Sequence, residues 1–114
     1  MAGYLTTHVL DTAKGVPAQG LKIELFFVIE GRREQRAETS TNEDGRTDRP
    51  ILPEQVFAPG EYELVFHAGE YLRATEQPDG FLDVIPIRFS MGEASHYHVP
   101  LLLSPFGYST YRGS

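Results

Sequence analysis

The 114-residue chain contains no cysteine, which excludes disulfide scaffolds, thiolate zinc sites and cysteine nucleophiles together. No window approaches the ~18 consecutive apolar residues that a membrane-spanning helix needs. The opening Met1-Ala2-Gly3-Tyr4-Leu5 shows no positive run leading into an apolar stretch, so the expectation is a soluble, cytoplasmic protein. Positive charge is also short: 10 Lys and Arg stand against 16 Asp and Glu, a formal charge of -6. That is the wrong sign for wrapping a phosphate backbone, and nucleic acid is not expected as a partner.

What is present suits one packed domain over residues 1–114. A hydrophobic share of 40% with 23% charged residues is too apolar for a disordered chain. At this length roughly two-thirds of the unfolded surface can be buried without a metal or crosslink. Eleven Gly and eight Pro are spaced along the chain and cut it into short apolar runs, the pattern of an all-β domain. Leu5 to Leu10 alternates, with Leu5, Thr7 and Val9 on one face and Thr6, His8 and Leu10 on the other. Gly15 and Pro17 then mark a turn. Leu21 to Ile29 reads as a central strand, and Glu34 to Thr41 as polar and extended. Asn42-Glu43-Asp44-Gly45 reads as a tight turn from which Arg46 opens a return strand. Further strands are expected at Tyr62–Phe66, Asp83–Phe89, Tyr97–Leu103 and Tyr108–Arg112. Pro86 should place the second of these at an edge or bulge. Glu70 to Glu76 is the one helical window. Seven or eight short strands with one short helix imply a two-sheet β-sandwich.

Period-two geometry also sorts the histidines. In the strand near the C-terminus Tyr97, Val99, Leu101 and Leu103 make a uniformly apolar face, which should be core. His96, His98, Pro100 and Leu102 then point outward, as His8 and Leu10 do on the first strand. Outward faces that pair a histidine with apolar neighbours are expected to be covered by another copy of the chain. Ser109 and Tyr111 should continue the face of Leu102, so that a groove between subunits collects His8, His98, Ser109 and Tyr111. Such a groove is a small polar site in apolar walls, as ligand pockets usually are.

His67, at a strand end, reads as a solvated surface histidine, and His96, just outside its strand, as an exposed one. His96 and His98 share a strand face and, with His8, could make a zinc or copper site. No Asp or Glu shares that face to complete the shell, so no metal is expected. Arg46 reads as a surface charge or as an anion clamp, depending on where its turn lies relative to the histidines.

The segment Leu5-Thr6-Thr7-His8-Val9-Leu10-Asp11, the turn Thr41-Asn42-Glu43-Asp44-Gly45-Arg46 and the ending HYHVPLLLSPFGYSTYRGS resemble the 5-hydroxyisourate hydrolases, the transthyretin-related enzymes of purine breakdown. The likeness runs from residue 5 to the terminus, and the closing Tyr111-Arg112-Gly113-Ser114 is its most specific element. The resemblance implies a transthyretin-like sandwich of two four-stranded sheets, assembled as a homotetramer with its sites at the dimer-dimer interface. It implies hydrolysis of 5-hydroxyisourate at a cyclic amide, giving 2-oxo-4-hydroxy-4-carboxy-5-ureidoimidazoline on the way to allantoin, without a cofactor. Residue by residue, the family's catalytic set falls on His8, Arg46, His98 and Ser114. Tyr111, with His8 and Arg46, falls on positions that bind substrate. None of these positions departs from the pattern.

The set makes chemical sense: ring opening needs an activated water, donors for the oxyanion and a proton for the leaving nitrogen. Imidazoles move protons near neutral pH. Arg46 stays charged and offers a planar pair of donors. Which histidine is the base is left open by the sequence. The rival functions are a transthyretin-type carrier holding a hydrophobic ligand in the same channel, a structural or adhesive sandwich, and a metal-dependent hydrolase. A carrier would need neither two imidazoles with an arginine nor a chain ending in Tyr-Arg-Gly-Ser.

Overall fold

The computed structural model describes residues 2–113. Eight strands follow in chain order, β1 (Tyr4–Asp11), β2 (Val16–Pro17), β3 (Lys22–Ile29), β4 (Arg32–Ser40), β5 (Gly60–His67), β6 (Val84–Met91), β7 (His96–Ser104) and β8 (Gly107–Thr110). One helix, α1 (Ala68–Ala74), lies between β5 and β6. The strands form two four-stranded sheets, ordered β2-β1-β7-β8 and β4-β3-β5-β6. The expected all-β, transthyretin-like two-sheet sandwich with one short helix is borne out. No helix of the described residues is long and apolar enough to cross a membrane.

Alternation builds the core. Leu5, Thr7, Val9 and Asp11 of β1 are buried while Tyr4, Thr6, His8 and Leu10 are half-exposed. Tyr97, Val99, Leu101 and Leu103 of β7 are buried as expected, and they face Ile23, Leu25, Tyr62, Leu64, Phe66 and Ile85 of the second sheet. Each fully buried large side chain contributes about 1.5–3 kcal/mol relative to exposure, before entropy is set against it. β3 is central, flanked by β4 and β5, and Pro86 lies on the edge strand β6.

Several local expectations are corrected. Val16–Pro17, read as part of a turn, pairs with Leu10 and Asp11 as a two-residue edge strand. There the missing proline N–H costs no ladder bond. The helix begins at Ala68, two residues before the expected start; Gly69 in its first turn has no Cβ to collide with Asp83 and donates its amide to the Asp83 carbonyl at 2.8 Å. Asp11 anchors that helix to β1, accepting from Tyr71 Oη (2.6 Å), Gln77 Nε2 (2.9 Å) and the Lys14 amide (3.0 Å). Burial alone would raise the Asp11 carboxyl, but these bonds outweigh it and hold the pKa below the ordinary value.

One pairing positions the site. β1 and β7 run parallel, with Thr6 opposite His98, His8 opposite Pro100 and Tyr4 opposite His96. A parallel pair formed by the first and the seventh strand brings residues some ninety positions apart onto one outward face, as the contacts of Thr6 with His96 and His98 show.

Candidate active site

Arg46 reaches this face through a clamped turn. Asn42 Oδ1 accepts from the amides of Asp44 (2.9 Å) and Arg46 (3.2 Å), and the Asn42 amide donates to the Arg46 carbonyl (2.8 Å). Gly45 sits at φ +77°, where a side chain is strained, and a Cβ there would strike the Val9 carbonyl oxygen. That close approach lets the Val9 amide donate to the Gly45 carbonyl at 2.8 Å. The result is an isolated antiparallel bridge between His8 and Arg46. Bridge partners project to one side, so the turn puts the Arg46 and His8 side chains on the same face. The expected return strand at Arg46 is therefore corrected to isolated bridges docked on β1, Arg46 with His8 and Leu52 with Leu5.

His8 Nε2 donates to the Asp44 carbonyl at 2.9 Å, which fixes the protonated nitrogen and leaves Nδ1 for another partner. His98 is half-buried on β7, and its Nδ1 lies 2.8 Å from Thr6 Oγ1. Its pKa is lowered from the ordinary histidine value, first by burial and then by the positive charge of Arg46, His96 and His8. A cavity of about 470 Å³ opens here, lined among others by Thr6, Arg46, Arg49, His96 and His98. His8 flanks it through its bridge to Arg46 and does not itself line it.

The chain's end returns to this point. The Gly113 amide donates to the His98 carbonyl at 2.7 Å, and a Cβ on Gly113 would lie 2.6 Å from His98 Cδ2. Arg112 lies over the Tyr97 ring at 4.3 Å and holds the tail down. Ser114, expected to contribute to catalysis, lies outside the described residues.

Of the residues singled out in the sequence, His8, Arg46 and His98 come together. Tyr111 does not join them within one protomer. It lines a separate cavity of about 370 Å³ with Ile87, Phe89, Tyr97 and Val99. The chain leaves β8 at Thr110, so the alternation that would have put Tyr111 beside Leu102 stops one residue short. Ser109 does pair with Leu102, as expected, and is exposed. His67 is not a solvated histidine: Nε2 contacts Glu24 Oε1 at 2.7 Å, and the side chain is 17% exposed. His96 is the first residue of β7, half-buried and stacked on Tyr4 with ring centroids 4.2 Å apart. The sequence reading missed Thr6 and the partnership of His96. Their signal was the shared outward parity of Thr6, His8, His96 and His98, which becomes a contact only once the parallel pairing is known. Among the described residues no three His, Cys, Asp or Glu side chains form a metal-binding group.

The family model described as HIUase/Transthyretin family matches residues 5–113. The chain belongs to that family. Among its members, 5-hydroxyisourate hydrolase 2 of Rhizobium meliloti (strain 1021) is 56% identical, covering 99% of this chain and 98% of the relative. The 5-hydroxyisourate hydrolase of Mesorhizobium japonicum is 58% identical, covering 98% of this chain and 93% of the relative. Among solved structures, (S)-allantoin synthase superposes with a TM-score of 0.92 at 43% identity. That match covers 99% of this chain, which spans only 44% of the synthase. The family's description joins hydrolases to transthyretins on one fold, so the cavity residues, and not the sandwich, must distinguish them.

Proposed function

We propose that the protein hydrolyses 5-hydroxyisourate to 2-oxo-4-hydroxy-4-carboxy-5-ureidoimidazoline in urate degradation. The observation that carries this reading is the convergence of Arg46 and His98 on one cavity, with His8 bridged to Arg46 beside it. Relatives that match nearly the whole chain at 56–58% identity bear the name of that hydrolase, which supports the substrate assignment.

His98 acts as general base: its depressed pKa keeps the imidazole unprotonated near neutral pH, ready to take a proton from water. The resulting hydroxide attacks a ring carbonyl. Arg46 donates to the oxyanion and holds the electron-rich ring, and it supplies local positive charge in a protein of net charge -6. His8, held by Nε2–H on the Asp44 carbonyl, keeps a lone pair on Nδ1 that accepts a hydrogen bond from the water or from a ring N–H and orients it. As the carbon–nitrogen bond breaks, the His98 imidazolium returns to the leaving nitrogen the proton it took from water, and the ring opens with His98 neutral again. Ser114 would help fix the water, and Tyr111 would bind substrate from across a subunit contact. Neither step requires a cofactor.

The active form is a cytoplasmic homotetramer in which the outward face of β1 and β7 is covered by another protomer. The half-exposed Leu10 and Leu102 beside the histidines support this assembly, since apolar groups flanking a polar cleft suit a protein-protein contact. The test is direct: generate 5-hydroxyisourate with urate oxidase and follow its ultraviolet decay with and without the protein. Acceleration abolished in His98→Ala is the expected result. Decay at the spontaneous rate with wild-type protein would overturn the assignment.

A further inference from the structure

Thr6 Oγ1 lies 2.8 Å from His98 Nδ1 and 2.7 Å from His96 Nε2, so one hydroxyl bridges two imidazoles. The bridge follows from the register, in which Thr6 sits opposite His98 on the parallel strand. The two rings are 6.2 Å apart between centroids and inclined at 55°, and His96 is held in place by its stack on Tyr4. A hydroxyl has one proton. Between two neutral imidazoles it donates to one nitrogen and must accept from the other. Only two arrangements are therefore consistent: either His98 carries its proton on Nδ1 and His96 accepts at Nε2, or both tautomers are reversed.

We propose that Thr6 is a positioning residue that holds His98 in its Nδ1–H tautomer, through a hydroxyl donated in turn to His96. This inference rests on the hydrolase reading, because a base facing the cavity needs its lone pair on Nε2, the nitrogen that Thr6 leaves free. The arrangement also survives the reaction unchanged. When Nε2 takes a proton from water, His98 becomes an imidazolium whose Nδ1–H still donates to Thr6, and the Thr6 proton still points to His96. Proton transfer then requires no reorientation of either partner, the condition under which preorganised hydrogen bonds assist most. A general base whose tautomer is set by a third group is a recurring device in hydrolases, and losing the orienting partner is costly.

The test uses the intact protein labelled with 15N-histidine, with His98 assigned by comparison with His98→Gln. In wild type, Nδ1 of His98 should give the protonated shift and Nε2 the unprotonated one. Thr6→Val removes the hydroxyl and keeps the shape, so His98 should become a mixture of tautomers. Its kcat should fall about 10- to 100-fold, the usual cost of losing an orienting partner, with KM nearly unchanged. Thr6→Ser should restore both the spectrum and turnover. His96→Phe keeps a ring on Tyr4 but removes the acceptor, which frees the Thr6 proton for His98 Nδ1. It should shift His98 toward Nε2–H and lower kcat, and it reads the same coupling if Thr6→Val fails to assemble. An Nε2–H tautomer in wild type, or an Nδ1–H tautomer with full kcat in both Thr6→Val and His96→Phe, would overturn the inference. Failure of the hydrolase reading is a separate result, an inactive wild type or an active His98→Ala, and the tautomer spectra still report on Thr6 in either case.

Discussion

Adding one methyl group at Gly113 should damage turnover while leaving the core packed. The new Cβ would stand 2.6 Å from His98 Cδ2, 3.3 Å from Cγ and 3.4 Å from its Cβ. Carbon atoms in comfortable contact lie about 3.5–4.0 Å apart, so the clash with Cδ2 requires a shift of about 1 Å. Two routes relieve it. The His98 ring can rotate away, which breaks its 2.8 Å contact with Thr6, or the tail can retreat, which breaks the 2.7 Å bond from the Gly113 amide. The second costs about 0.5–1.5 kcal/mol for the bond, with up to about 1 kcal/mol more if Arg112 leaves Tyr97. Neither route opens the core, because Val99, Leu101 and Leu103 point the other way. Misplacing a catalytic group by about 1 Å can cost about 100-fold in rate. Gly113→Ala should therefore lower kcat/KM about 10- to 100-fold, while the thermal midpoint drops by about 2–12 °C in a transition that stays cooperative. Steady-state assays of 5-hydroxyisourate decay and a calorimetric melt measure the two sides. Wild-type kcat/KM in Gly113→Ala would refute the docking of the tail on His98 as a functional contact.

His8→Ala, Arg46→Ala and His98→Ala should each lower turnover by orders of magnitude with assembly preserved, whereas His67→Ala, which breaks only the pair with Glu24, should leave turnover near wild type; initial rates with sedimentation velocity check this. Because burial, Arg46, His96 and His8 together depress the His98 pKa, the acid limb of kcat/KM should fall below the ordinary histidine midpoint of about 6.5, and Arg46→Gln should move it upward. The sign for stability follows from the same shift: between the folded and unfolded pKa the unfolded chain binds more protons, so stability rises with pH through that window and is lost as pH falls, a slope that His98→Gln should reduce in pH-dependent denaturant melts. A tag fused directly after Ser114 should depress turnover while leaving the assembly state unchanged, and full activity of such a fusion would count against a role for Ser114.

The fold was legible because alternation is a local property. Leu5 to Leu10 and Tyr97 to Leu103 declare their buried faces residue by residue, and Pro86 marks its own strand as an edge. The outward placement of His8 and His98 follows from the same parity. What parity does not contain is which strands meet. The parallel pairing of β1 with β7 turns Thr6 and His96 from unremarkable outward residues into partners of His98, and only long-range topology supplies it. Arg46 was read correctly as a turn product but wrongly as a strand opener, since its bridge to His8 depends on the turn folding back onto β1. His67 was misread for a similar reason: Glu24 lies on the neighbouring strand β3, 43 positions away in the chain. Tyr111 shows the limit of extrapolation, because the ladder ends at Thr110 and the chain turns toward Tyr97 instead.

If Arg46 and His98, with His8 beside them, form one hydrolytic cleft completed by a second protomer, a crystal structure of the assembled protein with a non-hydrolysable urate analogue will show it. The expected result is the analogue ring against Arg46, a ring atom or its water within hydrogen-bond reach of His98 Nε2, and a partner protomer closing the cavity. An analogue seated instead beside Tyr97 and Tyr111, or a cavity left open to solvent in a monomer, would contradict it.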